Sequence, residues 1–132
     1  MFDCLILGDS IAVGTQQARP ECVSYAKVGI NSRDWINQNI AKDLNAKIVI
    51  ISLGSNDYRG IKTESELISV RQLVQADRVY WILPAIKPDI QEIVNKVATM
   101  YKDTVIPIQH LQPDGVHPTW AGYKDIATQT RK

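Results

Sequence analysis

Two apolar runs, Cys4-Leu5-Ile6-Leu7 near the start of the chain and Ile48-Val49-Ile50-Ile51-Ser52-Leu53 near its middle, constrain the fold most. A strand with one face in water alternates apolar and polar residues, so near-continuous runs of this length predict strands covered on both faces, as in a parallel sheet between helical layers. Both runs stop abruptly at turn-forming sequences, Gly8-Asp9-Ser10 and Gly54-Ser55-Asn56-Asp57. In such sheets the carboxyl ends of the strands form the rim where ligands bind. The first strand therefore delivers a serine to that rim.

The remaining segments alternate strand and helix. A helix is expected from Ser10 to about Arg19, where Pro20 stops it, followed by a short strand over Cys22–Ala26. After Gly29, Asn31 or Ser32 can cap a helix whose apolar positions Trp35, Ile36, Ile40 and Leu44 recur at helical spacing. Thr63-Glu64-Ser65-Glu66 has the form of a capping box opening a helix to about Ala76, and Arg78–Leu83 is the next strand. Pro88–Lys102 carries the helical stripe Ile90, Ile93, Val94, Val97 and Met100, with a proline suited to its first turn. Thr104–Ile108 reads as a last strand and Pro118 to about Thr130 as a last helix. The pattern predicts an α/β domain, a five-stranded parallel sheet with helices on both faces.

With 132 residues the chain fits one domain and can bury roughly 65–70% of its unfolded surface. A formal net charge of +1 gives no basis for electrostatic capture of nucleic acid or anionic membranes, which leaves a small molecule or a neutral polymer as partner. No segment is long and apolar enough to span a bilayer, and no signal-like segment precedes the first strand. Cys4 and Cys22 each sit in an apolar strand-like segment, which predicts reduced packing cysteines and a cytoplasmic protein. Oligomeric state is not legible.

The chemistry gathers on the rim. An alcohol nucleophile needs a base, and the base needs a partner that fixes its tautomer. Ser10, His117 and Asp114 can fill these roles, because the two-residue gap in Asp114-Gly115-Val116-His117 lets the carboxylate meet Nδ1 and leaves Nε2 free. A developing oxyanion needs donors, and the candidates are the Ser10 N–H, the Gly29 N–H and the Asn56 amide. Asp9 and Asp57 read as turn-stabilising residues. Ser55, Tyr58, Arg59 and His110 are candidate substrate contacts, whereas Trp35, Trp81 and Trp120 sit in apolar patterns and are expected to pack. Two histidines without a ligand cluster argue against a metal site, and a single glycine beside an acidic Asp9 argues against a phosphate cradle.

Gly8-Asp9-Ser10, Gly29, Gly54-Ser55-Asn56-Asp57 and Asp114-Gly115-Val116-His117-Pro118, in this order over nearly the whole chain, resemble the four blocks of the SGNH hydrolases, the GDSL esterase and lipase family. Ile11 stands where that family has leucine, and Lys27-Val28-Gly29 lacks the polar residue often found before the glycine. The resemblance implies a flavodoxin-like three-layer α/β/α fold and cofactor-independent, metal-independent ester hydrolysis. Ser10 then becomes the nucleophile, His117 the base and Asp114 its partner, with Ser10, Gly29 and Asn56 as oxyanion donors. The expected substrate is a short-chain, acetyl ester on a carbohydrate or cell-wall glycan. The rivals are a short-chain thioesterase or lysophospholipase using the same residues, and a binding module that keeps the motifs without turnover.

Overall fold

Parallel pairing of the two apolar runs sets the frame. The computed structural model describes residues 1–132 and contains β1 (Phe2–Gly8), β2 (Val23–Ala26), β3 (Asn45–Ser52), β4 (Gln75–Leu83) and β5 (Thr104–Pro107). They form one sheet in the order β2-β1-β3-β4-β5 with every neighbouring pair parallel. Leu5 lies beside Val49 and Leu7 beside Ile51, while Val49 and Ile51 lie in turn beside Val79 and Trp81. The strand order reverses at β1, because the chain steps outward to β2 and then returns past β1 to β3. The exits of β1 and β3 therefore flank the crevice where open α/β sheets take ligands.

Helices α1 (Ser10–Ala18), α2 (Ser32–Asn39), α3 (Thr63–Leu73), α4 (Pro88–Tyr101) and α5 (Trp120–Gln129) cover both faces. Successive strand residues point to opposite faces. Leu5 and Leu7 accordingly join Trp35, Leu67, Trp81 and Val94 in the core beneath α2, α3 and α4. Cys4 and Ile6 join Ile11, Ile82, Ile106 and Ile126 in the core beneath α1 and α5. Fully burying such a side chain contributes roughly 1.5–3 kcal/mol, so the near-continuous run of β1 is stabilising only where both faces are covered. No helix is long and apolar enough to cross a membrane.

Several local expectations need correction. Helix α2 ends at Asn39 instead of continuing toward Leu44, and Ile40 is exposed at its end while Leu44 reaches the core from the following loop. Helix α3 stops at Leu73, because Val74 is already extended and β4 begins at Gln75, where it pairs with Asn45 of β3. Thr63 is not the cap of α3. Lys62 occupies that position without a side-chain bond, and the Thr63 hydroxyl instead donates to Asp57. Trp35 and Trp81 are fully buried as expected, but Trp120 is 55% exposed. It is the first residue of α5.

The cysteines are also corrected. Cys4 and Cys22 form a disulfide, with Cα atoms 4.7 Å apart. The register pairs Leu5 with Val23, so the preceding residue of each strand segment falls beside the other. The bond fastens edge strand β2 to β1 and closes a loop with a sequence separation of 18. Closing a loop of this size removes about 3 kcal/mol of chain entropy from the unfolded state. Urea unfolding of Cys4→Ala/Cys22→Ala should show a loss of about 2–4 kcal/mol, and an unchanged midpoint would contradict a stabilising bridge.

Candidate active site

Ser10 is presented by a crossing of two strand exits. Gly8 has φ +144, and a Cβ there would overlap the Ser52 carbonyl, so only glycine lets β1 leave so close to β3. The Asp9 N–H then donates to the Ser52 carbonyl at 3.0 Å. Asp9 caps α1 by accepting from the Ile11 N–H at 3.0 Å, and it accepts the Ser52 hydroxyl at 3.0 Å through the same oxygen. Its other oxygen is buried without a partner. Burial raises this carboxyl to about 6, against hydrogen bonds from Ser52, Ile11 and Ala12 that pull it down. Ser10 follows as the first residue of α1, and its N–H has no partner in the chain.

The loop after β5 returns to this point. An antiparallel bridge joins Leu111 to Pro118, the Gln112 N–H donates to the His117 carbonyl at 2.8 Å, and the Gln112 side chain donates to the Pro118 carbonyl at 2.9 Å. Within the loop Asp114 accepts from the Val116 and His117 N–H groups at 2.9 and 3.0 Å. Its second oxygen lies 2.8 Å from His117 Nδ1. The backbone bonds from His117 and Val116, followed by the imidazole bond, hold the Asp114 carboxyl down at about 2. An ionised carboxylate at Nδ1 assigns the proton to that nitrogen. Nε2 is then an acceptor, and it lies 3.0 Å from Ser10 Oγ.

The other two candidate donors, Gly29 and Asn56, are tied to the exit of β1. The turn Lys27–Ile30 closes through Ile30 N–H on the Lys27 carbonyl at 3.3 Å, with Gly29 at φ +80 as a type II turn requires. The Lys27 N–H donates to the Gly8 carbonyl at 2.9 Å, which ties the turn to the end of β1. The Gly29 N–H itself is left without a partner in the chain. Asn56 donates one amide hydrogen to the Ile30 carbonyl at 3.1 Å, leaving the other unused. Hydrogen bonds thus link Asp114, His117 and Ser10 in one chain, and tie the Gly29 turn to the end of β1 and Asn56 to that turn.

Asp57 is structural, but it bonds distant groups instead of the N–H groups of its own turn. It accepts the Ser32 N–H at 2.8 Å, the Ser32 hydroxyl at 2.6 Å and the Thr63 hydroxyl at 2.8 Å, joining the starts of α2 and α3. Lys87 was not singled out from the sequence. Its ammonium donates to the Ser55 and Asp57 carbonyls at 2.8 and 2.9 Å, on either side of Asn56. Lys87 adopts φ +63 immediately before Pro88. No local sequence signal marked Lys87, because its two partners lie on the loop after β3.

The remaining candidates are spread more widely. Ser55 is half-buried and meets Lys87 through its carbonyl. Tyr58 accepts from Arg33 at 2.8 Å and, with Arg59, lines a groove of about 600 Å³ together with Lys87, Ile61, Ile90 and Ile93. Neither Ser10 nor His117 lines that groove. His110 is exposed, and its carbonyl accepts from the Thr119 N–H at 2.9 Å at the start of α5. No group of three or more His, Cys, Asp or Glu side chains converges as a metal-ligand set.

No family model matches the sequence, and no curated protein matches it. Solved structures do match in shape. A Parabacteroides merdae protein described as a GDSL-like lipase gives a TM-score of 0.70 at 15% identity, over 96% of this chain and 92% of its own. The C-terminal catalytic domain of peptidoglycan O-acetyltransferase A from Streptococcus pneumoniae, carrying a methylsulfonyl adduct, gives 0.59 at 19% identity over 98% and 92%. A two-domain esterase active on acetylated mannans gives 0.64 at 16% identity, over 96% of this chain and 47% of its own. What is shared at these identities is the fold, the one that the resemblance to the SGNH hydrolases implied.

The buried Asp9 makes stability depend on pH. Its folded pKa of about 6 lies above the ordinary 3.8, so the folded state holds the proton longer than the unfolded chain. Its contribution is complete below about pH 4 and declines as pH rises through about 6. The difference between 3.8 and about 6 corresponds to roughly 3 kcal/mol. Urea unfolding of Asp9→Asn between about pH 4 and about pH 7 should lack this decline. Equal slopes in parent and variant would contradict it.

Proposed function

We propose that the chain is a serine esterase working through an acyl-enzyme, and that its substrate is an acetyl ester on a carbohydrate or cell-wall glycan. The observation that carries the reading is the unbroken chain Asp114, His117, Ser10, with spacings of 2.8 and 3.0 Å, together with the unpartnered Ser10 and Gly29 N–H groups and the second amide hydrogen of Asn56. Ser10 Oγ attacks the ester carbonyl while His117 Nε2 takes its proton. Asp114 stabilises the imidazolium that forms. The carbonyl oxygen becomes an oxyanion held by the Ser10 and Gly29 N–H groups and the Asn56 amide. The carbon–oxygen bond to the alcohol then breaks, and the alcohol leaves with the proton from Nε2. Water, deprotonated by the same imidazole, releases the acid and restores Ser10.

Support for an acetylated glycan comes from the half-exposed triad, which leaves the alcohol side open to a bulky group. It also comes from two shape-related proteins described as a peptidoglycan O-acetyltransferase and an esterase active on acetylated mannans. The Cys4–Cys22 disulfide fits an oxidising compartment, where extracellular glycans are met, better than the cytoplasm. One observation favours the thioesterase or lysophospholipase reading. The groove of about 600 Å³ includes Ile61, Ile90 and Ile93, a surface on which a longer acyl chain could gain about 0.8 kcal/mol per buried CH₂.

Kinetics on nitrophenyl esters separate these readings. Ser10→Ala should lower ester turnover by about 10⁴-fold or more. Asn56→Ala should lower kcat by about 10²–10³ with little change in KM, whereas a raised KM at unchanged kcat would assign Asn56 to ground-state binding. Along acetate, butyrate and octanoate, kcat/KM should fall; a steady rise would favour the long-chain reading.

A further inference from the structure

We propose that Trp120 is a stacking platform for a sugar ring of the ester's alcohol portion, an inference that rests on the serine esterase reading and gives it a substrate subsite. Of the three tryptophans only this one stands in water, at 55% exposure, while Trp35 and Trp81 are fully buried. Its place relative to Ser10 follows from helix packing. Helices α1 and α5 each follow a strand of the same parallel sheet and contribute to the same core, so they run side by side in the same direction. Tyr123 of α5 lies against Gly14 of α1 so closely that a Cβ on Gly14 would overlap its ring. One turn back toward the rim on both helices sets Trp120 opposite Ser10 and Ile11. Because Cα–Cβ bonds in a helix tilt toward its N-terminus, the indole leans over the rim and not down into the layer.

The reaction supplies the occupant. The departing alcohol oxygen must reach His117 Nε2 to take its proton, and His117 precedes Trp120 by three residues in a loop braced by Leu111, Gln112 and Pro118. The alcohol portion therefore leaves on the α5 side, across the indole. A pyranose ring can present C–H groups to the indole face and keep its hydroxyls in water, as an amphipathic aromatic surface favours. The groove lined by Tyr58, Arg59 and Lys87 lies by contrast on the β3 and β4 exits, away from the leaving group.

The buried positions of Trp35 and Trp81 make Trp120 the solvent-exposed emitter, so binding can be read without turnover. Ser10→Ala protein is titrated with mannopentaose, xylopentaose and chitopentaose. A blue shift of the emission with at least one glycan, absent from Ser10→Ala/Trp120→Ala, is expected, and no shift with any of the three would overturn the proposal. In the catalytically intact chain, Trp120→Ala should raise KM for the O-acetylated form of the responding pentasaccharide about tenfold and leave ethyl acetate hydrolysis unchanged. Trp120→Phe should restore most of the difference. Equal losses on both esters would assign Trp120 to packing of the loop instead. Esterase activity that survives Ser10→Ala would refute the nucleophile assignment while leaving the emission shift as an independent measure of the platform.

Discussion

The Asp9 amide donates to the Ser52 carbonyl at 3.0 Å, and the Ser52 hydroxyl donates back to the Asp9 carboxylate at 3.0 Å. This reciprocal pair closes the exits of β1 and β3 onto each other where the strand order reverses. It fixes where α1 begins, and therefore where Ser10 and its N–H stand. The Gly29 turn hangs from the same exit through Lys27 on Gly8, and Asn56 hangs from that turn through Ile30. Each group of the site is thus placed by a bond to the group before it, and loss of the β1–β3 closure would displace all of them together.

Three aspartates illustrate how position decides role. Asp57 is buried and spends both oxygens on Ser32 and Thr63, so it fastens two helix starts. Asp9 is buried with one oxygen unpartnered, which raises its carboxyl to about 6 and makes ionisation costly. Asp114 is solvated, is bonded by two backbone N–H groups, and stays ionised down to about 2. Only the last combines a permanent charge with a bond to imidazole Nδ1, which is what stabilising a transient imidazolium requires.

The positions of Ser10 and Asn56 in the candidate site were legible because they follow strand ends, and those ends were set by the apolar runs around Leu5 and Ile50. The short spacing from Asp114 to His117 also encoded its own geometry. Features that depend on register or on distant contacts were not legible. Cys4 and Cys22 read as packing residues because nothing in their spacing reveals that Leu5 pairs with Val23. Lys87 was not singled out, because its role rests on contacts of its ammonium with the carbonyls of Ser55 and Asp57, some thirty residues away in the chain. Trp120 fitted an apolar stripe, yet a stripe does not say where the covering layer ends. Thr63 matched a capping box locally, but the buried Asp57 carboxylate competed for its hydroxyl and won.

The central claim is that the hydrogen bond donated by Ser10 Oγ to His117 Nε2 makes this one serine a nucleophile among the serines of the chain. Incubation with a fluorophosphonate, followed by digestion and mass spectrometry of the peptides, tests this directly, because stable phosphonylation requires an activated hydroxyl. The account predicts a single adduct on the peptide containing Ser10, lost in His117→Ala while the variant remains folded. An adduct on any other serine, or equal labelling of Ser10 without His117, would contradict it.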